Sequence, residues 1–202
     1  MQEYLAVAPV ASVIFAITII VSLLAFYNET VYNHFMLTPS NVYHGRNIYT
    51  VITSGFIHKD WMHLFFNMFS YYFFAFRLEY YLGHWQFGLL YMGSLILSDL
   101  PTVMKHKNDY WYRSLGASGA ISAVIFSSIL FEPRNSIYLY GVLAIPAWLF
   151  GVLYLAYCYW ASKQSHDTIN HDAHLFGAIS GIVITFILNH QILGIFLGQL
   201  RG

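Results

Sequence analysis

From Val10 to Phe26 the chain carries nothing more polar than serine or threonine. A helix needs about 20 mainly apolar residues to cross the ~30 Å hydrocarbon layer of a bilayer, and so clean a stretch reads as one such span. Of the 202 residues, 58% are hydrophobic and only 9% are charged, with a mean hydropathy of +0.55. Soluble domains carry roughly a quarter charged residues, so these few charges cannot cover a water-facing surface. Aromatics reach 19%, as suits rings that settle at membrane interfaces. The class is polytopic helical membrane protein, and the length suits one compact bundle.

Six apolar segments qualify as spans, at roughly 7–27, 62–82, 86–104, 116–132, 137–160 and 174–197. Asp99 and Pro101 interrupt the last turns of the third. Pro146 falls within the fifth, where it predicts a kink. About thirty residues join the first two spans, enough for a structured loop with short interfacial helices. Residues 105–115 and 161–173 form two further polar loops on the same membrane face. Met1-Gln2-Glu3-Tyr4 lacks lysine and arginine, so the first segment is expected to be retained rather than cleaved as a signal peptide.

The formal net charge is zero, which gives no reason to expect a nucleic-acid partner. The single cysteine, Cys158, excludes an intrachain disulfide and a cysteine-based metal site. Arg46, Lys59, Lys105, Lys107, Arg113 and Lys163 lie on the long-loop side, against Arg77, Arg134 and Arg201 on the other. Loop charge alone therefore puts the long loops in the cytoplasm.

Polar groups within spans are costly and mark candidate sites. Gly116-Ala117-Ser118-Gly119-Ala120 opens the fourth span, leaving the Ser118 hydroxyl unobstructed beside the free N–H groups of a helix start. The same string also fits a small-xxx-small packing face. His174, Gly177 and Gly181 share one face of the sixth span, placing an imidazole above a close helix contact. That imidazole suits either a structural hydrogen bond or a base for a serine. His63 and Asn67 share a face of the second span and offer donors fit for an oxyanion or for structural bonding. All three groups fall near the long-loop end of their spans, a coincidence that favours one site.

The ordered set of His63-x-x-x-Asn67, Gly116-x-Ser118-Gly119 and Ala173-His174-x-x-Gly177-x-x-x-Gly181 resembles the rhomboid intramembrane proteases, over nearly the whole chain. The resemblance implies an all-α membrane protein, a six-transmembrane-helix rhomboid-like bundle forming a single domain over 1–202. It implies a serine endopeptidase with Ser118 as nucleophile and His174 as base, acting without a carboxylate, cofactor or metal. His63, Asn67 and the Ser118 N–H would hold the oxyanion, and Gly116, Gly119, Gly177 and Gly181 would allow close packing around the site. Arg46 and Glu79 match residues that anchor the family's first loop. The fifth helix and the 161–173 loop would serve as gate and lid. Partners would be transmembrane protein substrates within the lipid bilayer, and the setting a bacterial inner membrane. The family places its site on the extracytoplasmic side, and this takes precedence over a small loop-charge difference.

Two positions depart from the pattern. Gly45 stands where many rhomboids have tryptophan. Ser122 stands one turn after the nucleophile, where members often carry an aromatic stacked on the histidine, so the base would be held less rigidly or by another aromatic. Asp172 is two residues from His174, a helical spacing that turns it away. A metal centre built on His171, His174, His63 and His58 lacks the carboxylates or repeated histidine boxes such centres use. A non-catalytic relative that binds transmembrane clients is the main alternative. A transporter is disfavoured by the absence of an inverted repeat. An α/β-hydrolase is excluded because no second glycine completes a Gly-x-Ser-x-Gly elbow.

Overall fold

A computed structural model describes residues 6–139, 142–164 and 169–201. The expectation for Met1–Tyr4, and residues 165–168 of the expected lid, lie outside the described residues. The chain forms α1 (Pro9–Tyr27), three short helices α2 (Glu29–Phe35), α3 (Pro39–Tyr43) and α4 (Thr50–Thr53), and a 3₁₀ turn at Ser54–Phe56. Then follow α5 (Trp61–Leu82), α6 (His84–Lys105) and α7 (Ser118–Phe131). A hairpin of β1 (Ser136–Leu139) and β2 (Leu143–Pro146) precedes α8 (Ala147–Gln164), α9 (His171–Leu188) and α10 (Ile192–Arg201).

α7 is the axis of the bundle. Of its residues only Ser118, Ile125 and Ser128 are not fully buried, as expected of a helix apolar on every side. α5, α6, α8, α9 and α10 contact it, while α1 lies outside against α5 and α6.

α1 is inverted relative to a helix in water. It buries Thr18 and Ser22 and turns Val13, Ile17, Ile20 and Leu24 outward. α5 exposes Phe65, Phe69 and Phe73, and α9 exposes Val183 and Ile187. In lipid no hydrophobic drive favours inward apolar side chains, so small and weakly polar residues can form the contacts instead. α1, α6 and α9 are long and apolar enough to cross a membrane. The chain is a helical membrane protein.

The starts of α5 and α9 carry their own side-chain caps. Asp60 accepts from the His63 N–H at 2.8 Å, and Asn170 from that of Ala173 at 3.0 Å. α1 follows Ala8, which has no capping side chain. Glu79 of α5 supplies one across space, its carboxylate accepting the N–H groups of Val10 (3.1 Å) and Ala11 (2.6 Å). A buried carboxylate against a helix N-terminus is favoured by both hydrogen bonding and the dipole.

Three expected boundaries shift. The fifth segment does not run as a helix from 137. Its first part pairs as a hairpin, Ser136 opposite Pro146 and Leu139 opposite Leu143, and helix begins only at Ala147. Pro146 has no N–H and holds the residue before it out of helical geometry, so it marks the helix entry rather than a mid-helix kink. The first α8 amides are satisfied by the preceding turn, Ala147 donating to Asn135 O and Trp148 to Pro133 O. The last segment begins earlier, at His171, and stops at Leu188 before Asn189, with α10 separate. α6 continues through Pro101 to Lys105.

Candidate active site

Ser118 is the first residue of α7, and Gly116 shapes the approach to it. Gly116 has φ +119°, and its N–H donates to Ser54 O at 2.9 Å. A β-carbon there would stand 2.8 Å from His63 Nε2. The glycine is thus required twice, by a backbone region that other residues rarely adopt and by the imidazole lying over it. The Lys59 N–H points at His63 Nδ1 across 3.4 Å. With Nδ1 accepting, the ring proton sits on Nε2, the nitrogen facing Gly116.

Behind this turn lies a buried polar chain. Ala117 N–H donates to His58 Nε2 (3.4 Å), His58 Nδ1–H to Ser22 Oγ (2.8 Å), and Ser22 Oγ to Phe56 O (2.9 Å). Every member has a partner, and the chain ties α1, the loop and the entry to α7 together. His58 is wholly inaccessible to solvent. Burial, reinforced by the nearby His63, lowers its pKa to about 3, so it is neutral at ordinary pH.

The α7–α9 seam sets the remaining geometry. A β-carbon on Gly177 would collide with the Gly119 carbonyl, and one on Gly181 with the Ala123 backbone. A β-carbon on Gly119 would strike the Ser98 hydroxyl. Backbone therefore packs directly on backbone. Ser118 lies immediately before Gly119, and His174 lies one turn before Gly177. Both stand at the head of one glycine seam and both are partly accessible.

Residues 45–191 match the family described as Rhomboid domain. The chain belongs to the rhomboid family. It is 27% identical over 168 residues to RHOMBOID-like protein 12, mitochondrial, of Arabidopsis thaliana, covering 76% of this chain and 50% of that one. It is 32% identical over 145 residues to the Bacillus subtilis (strain 168) protein named "Putative rhomboid protease YdcA", covering 68% and 65%. Rhomboid-like protein 11, chloroplastic, of Arabidopsis thaliana is 28% identical over 157 residues, covering 70% and 52%. The chain spans half to just under two-thirds of the length of these relatives.

In this rhomboid His174 is held from an unexpected direction. Tyr154, on α8, lies parallel to the His174 ring (10°, centroids 6.4 Å apart) with its hydroxyl 3.2 Å from Nδ1. The same hydroxyl is 3.1 Å from Ser122 Oγ. The small Ser122 leaves room for a ring arriving from another helix, so the position that lacks an aromatic also locates its substitute. The sequence left open a loosely held histidine or another aromatic, and did not single out Tyr154. Its sequence signal is the unusual smallness of Ser122.

Other groups fall apart from the site. Asp172 pairs with Lys105 at 2.6 Å. Asn67 is buried, with its amide turned along its own helix to donate to His63 O at 2.9 Å. The expected loop anchors require correction. Glu79 lies 18 residues beyond the start of α5, about 27 Å along it at ~1.5 Å per residue, and caps α1 with His84 alongside at 2.6 Å. Arg46 is exposed in a turn between Gly45 (φ +75°) and Asn47 (φ +51°). Among the described residues its guanidinium has no ion pair. The loop is held instead by paired backbone bonds between Leu37 and Ser114 (both 3.0 Å) and by Thr53 Oγ1 donating to Phe35 O (3.1 Å).

Proposed function

We propose that this rhomboid is an intramembrane serine endopeptidase that cleaves peptide bonds in or near transmembrane segments of membrane proteins. The observation carrying the proposal is that Ser118 and His174 head the same close-packed glycine seam. Ser118 Oγ attacks the scissile carbonyl while His174 takes its proton and later returns it to the leaving amine. His63 Nε2–H, the Asn67 amide and the Ser118 N–H receive the oxyanion, with Asn67 rotating from its present bond to His63 O. Water hydrolyses the acyl-enzyme.

The shortness of α7 supports this setting. Its 14 residues cover about 21 Å of a ~30 Å hydrocarbon layer. With its far end at one interface, Ser118 lies about 9 Å inside the other, shielded from bulk water yet within reach of the loop side. In this reading six helices cross the membrane: α1, α5, α6, α7, α8 and α9, forming one rhomboid domain. α8 and the connection to α9 admit the substrate. A substrate helix must unwind before cleavage because an intact helix protects its own peptide bonds, so helices weakened by small or helix-breaking residues are preferred. No cofactor or metal takes part in this chemistry. We assign the protein to a bacterial cell membrane with the site on the extracytoplasmic side.

The test is cleavage of a single-span substrate in proteoliposomes. Ser118→Ala and His174→Ala should each lose at least about 10⁴-fold in turnover, and the double variant no more, because a nucleophile and its base act as one unit. Asn67→Ala should lose about 10²–10³-fold. Variants that cleave at the parental rate sink the dyad. A folded parent that binds the substrate without cleaving it would establish the client-binding alternative.

A further inference from the structure

We propose that Cys158, His171 and His174 form a zinc site whose occupancy switches off the dyad. The site itself stands independently, and only its inhibitory consequence rests on the protease reading. Cys158 lies on α8, and His171 and His174 lie one turn apart at the start of α9. Each offers one ligand atom, and the three atoms are within 4.8 Å of one another. Cys158 and His171 are buried and His174 is partly accessible, so two of the three donors are withdrawn from solvent.

A thiol and two imidazoles are the donor set that zinc favours. Zn–S and Zn–N bonds of ~2.3 and ~2.0–2.1 Å put tetrahedral neighbours about 3.5 Å apart. The present separations, all within 4.8 Å, exceed that spacing by no more than about 1.3 Å. The ring of His171 already stands at 75° to that of His174, with centroids 6.2 Å apart, leaving both able to aim at one point. Three protein ligands leave a fourth coordination position open for water. Zinc binding displaces the Cys158 thiol proton to solvent, and both histidines bind as neutral imidazoles. No redox change is involved.

The consequence for catalysis does not depend on which His174 nitrogen binds. A neutral imidazole has one nitrogen lone pair, and its other nitrogen carries hydrogen. If zinc takes Nε2, the lone pair that would accept the serine proton is gone. If zinc takes Nδ1, displacing Tyr154, then Nε2 carries the hydrogen and cannot accept one. Either arrangement removes the base and clamps α8 to α9. From sequence alone the single cysteine excluded a cysteine-based metal site; the fold reopens that question, because two histidines of another helix come within reach of the one thiol. His58 and His63 are not part of it.

The full chain, purified in detergent without metal, should bind one Co²⁺ with a thiolate-to-cobalt absorption band, and Zn²⁺ should displace it. Cys158→Ser and His171→Gln should each weaken zinc binding at least about 100-fold. Stoichiometric Zn²⁺ should suppress cleavage by the parent and a chelator should restore it. Both variants should stay active at zinc levels that silence the parent. Absence of the thiolate band, or equal zinc affinity in Cys158→Ser, overturns the site. Full occupancy with undiminished cleavage overturns the switch. Failure of the metal-free parent to cleave overturns the protease reading instead, and the absorption band still decides the site. Thermal unfolding without metal establishes that each variant folds, and either variant alone suffices.

Discussion

His174 stands between two unlike contacts. Toward α7 it heads a seam in which the backbones of Gly177 and Gly181 lie on those of Gly119 and Ala123. Toward α8 it meets side chains: Tyr154 at its ring and Cys158 nearby, on a helix that buries only Ala147, Gly151, Cys158 and Ala161 among its described side chains. The first contact has no freedom to adjust, because backbone cannot rotate away. The second can open by turning side chains. The proposed protease activity calls for both, a fixed spacing between Ser118 and His174 and a movable side through which substrate enters.

That contrast can be broken at the seam first. Gly177→Ala puts a methyl into the Gly119 carbonyl. It should cost about 3 kcal/mol, the upper range for overpacking, and abolish cleavage even where the protein remains folded, as read by thermal unfolding beside activity. His58→Gln tests the rigid side through pH. The His58 pKa is about 3 when folded and 6.5 as its ordinary value, so the unfolded chain takes up the proton first on acidification. Its stabilisation is therefore complete above about pH 6.5 and declines toward pH 3, by roughly 2 kcal/mol between pH 6.5 and 5. In His58→Gln this slope should disappear, and an unchanged slope would show that another group controls acid stability.

Smaller effects are expected on the α8 side. Tyr154→Phe keeps the ring and removes the hydroxyl between Ser122 and His174. One hydrogen bond of about 1.4 kcal/mol corresponds to a tenfold loss in kcat, with KM unchanged. A rise in KM alone would instead assign Tyr154 to substrate binding. Smallest of all, Gly151→Ala meets only the tip of Ile129 at 3.3 Å and Phe126 at 3.5 Å. Its unfolding temperature should hold or rise, because alanine is favoured over glycine by up to about 1 kcal/mol within a helix. A cost equal to that of Gly177→Ala would erase the distinction between the two contacts.

Much of this arrangement was legible along the chain. The apolar runs announced membrane helices because lipid tolerates no long polar alternative. The Ser118 and His174 strings named the two helices whose glycines would meet, since spacings of three and four keep residues on one face. Pro146 was visible, but its effect was misplaced: only the hairpin partners Ser136–Leu139 reveal that the residues before it are extended. Glu79 looked like a loop anchor, and only the fold shows that it lies beside α1.

The sequence by itself determined the class of protein and most of its helices, and singled out the residues proposed to carry chemistry, because hydropathy and helical spacing are local properties. The tertiary structure decided which distant side chains serve those residues: Tyr154 for His174, Glu79 for the start of α1, His58 for the turn before Ser118, and Cys158 facing two histidines. Each relation joins groups from different helices, and their meeting depends on how whole helices pack, which no short stretch of sequence encodes.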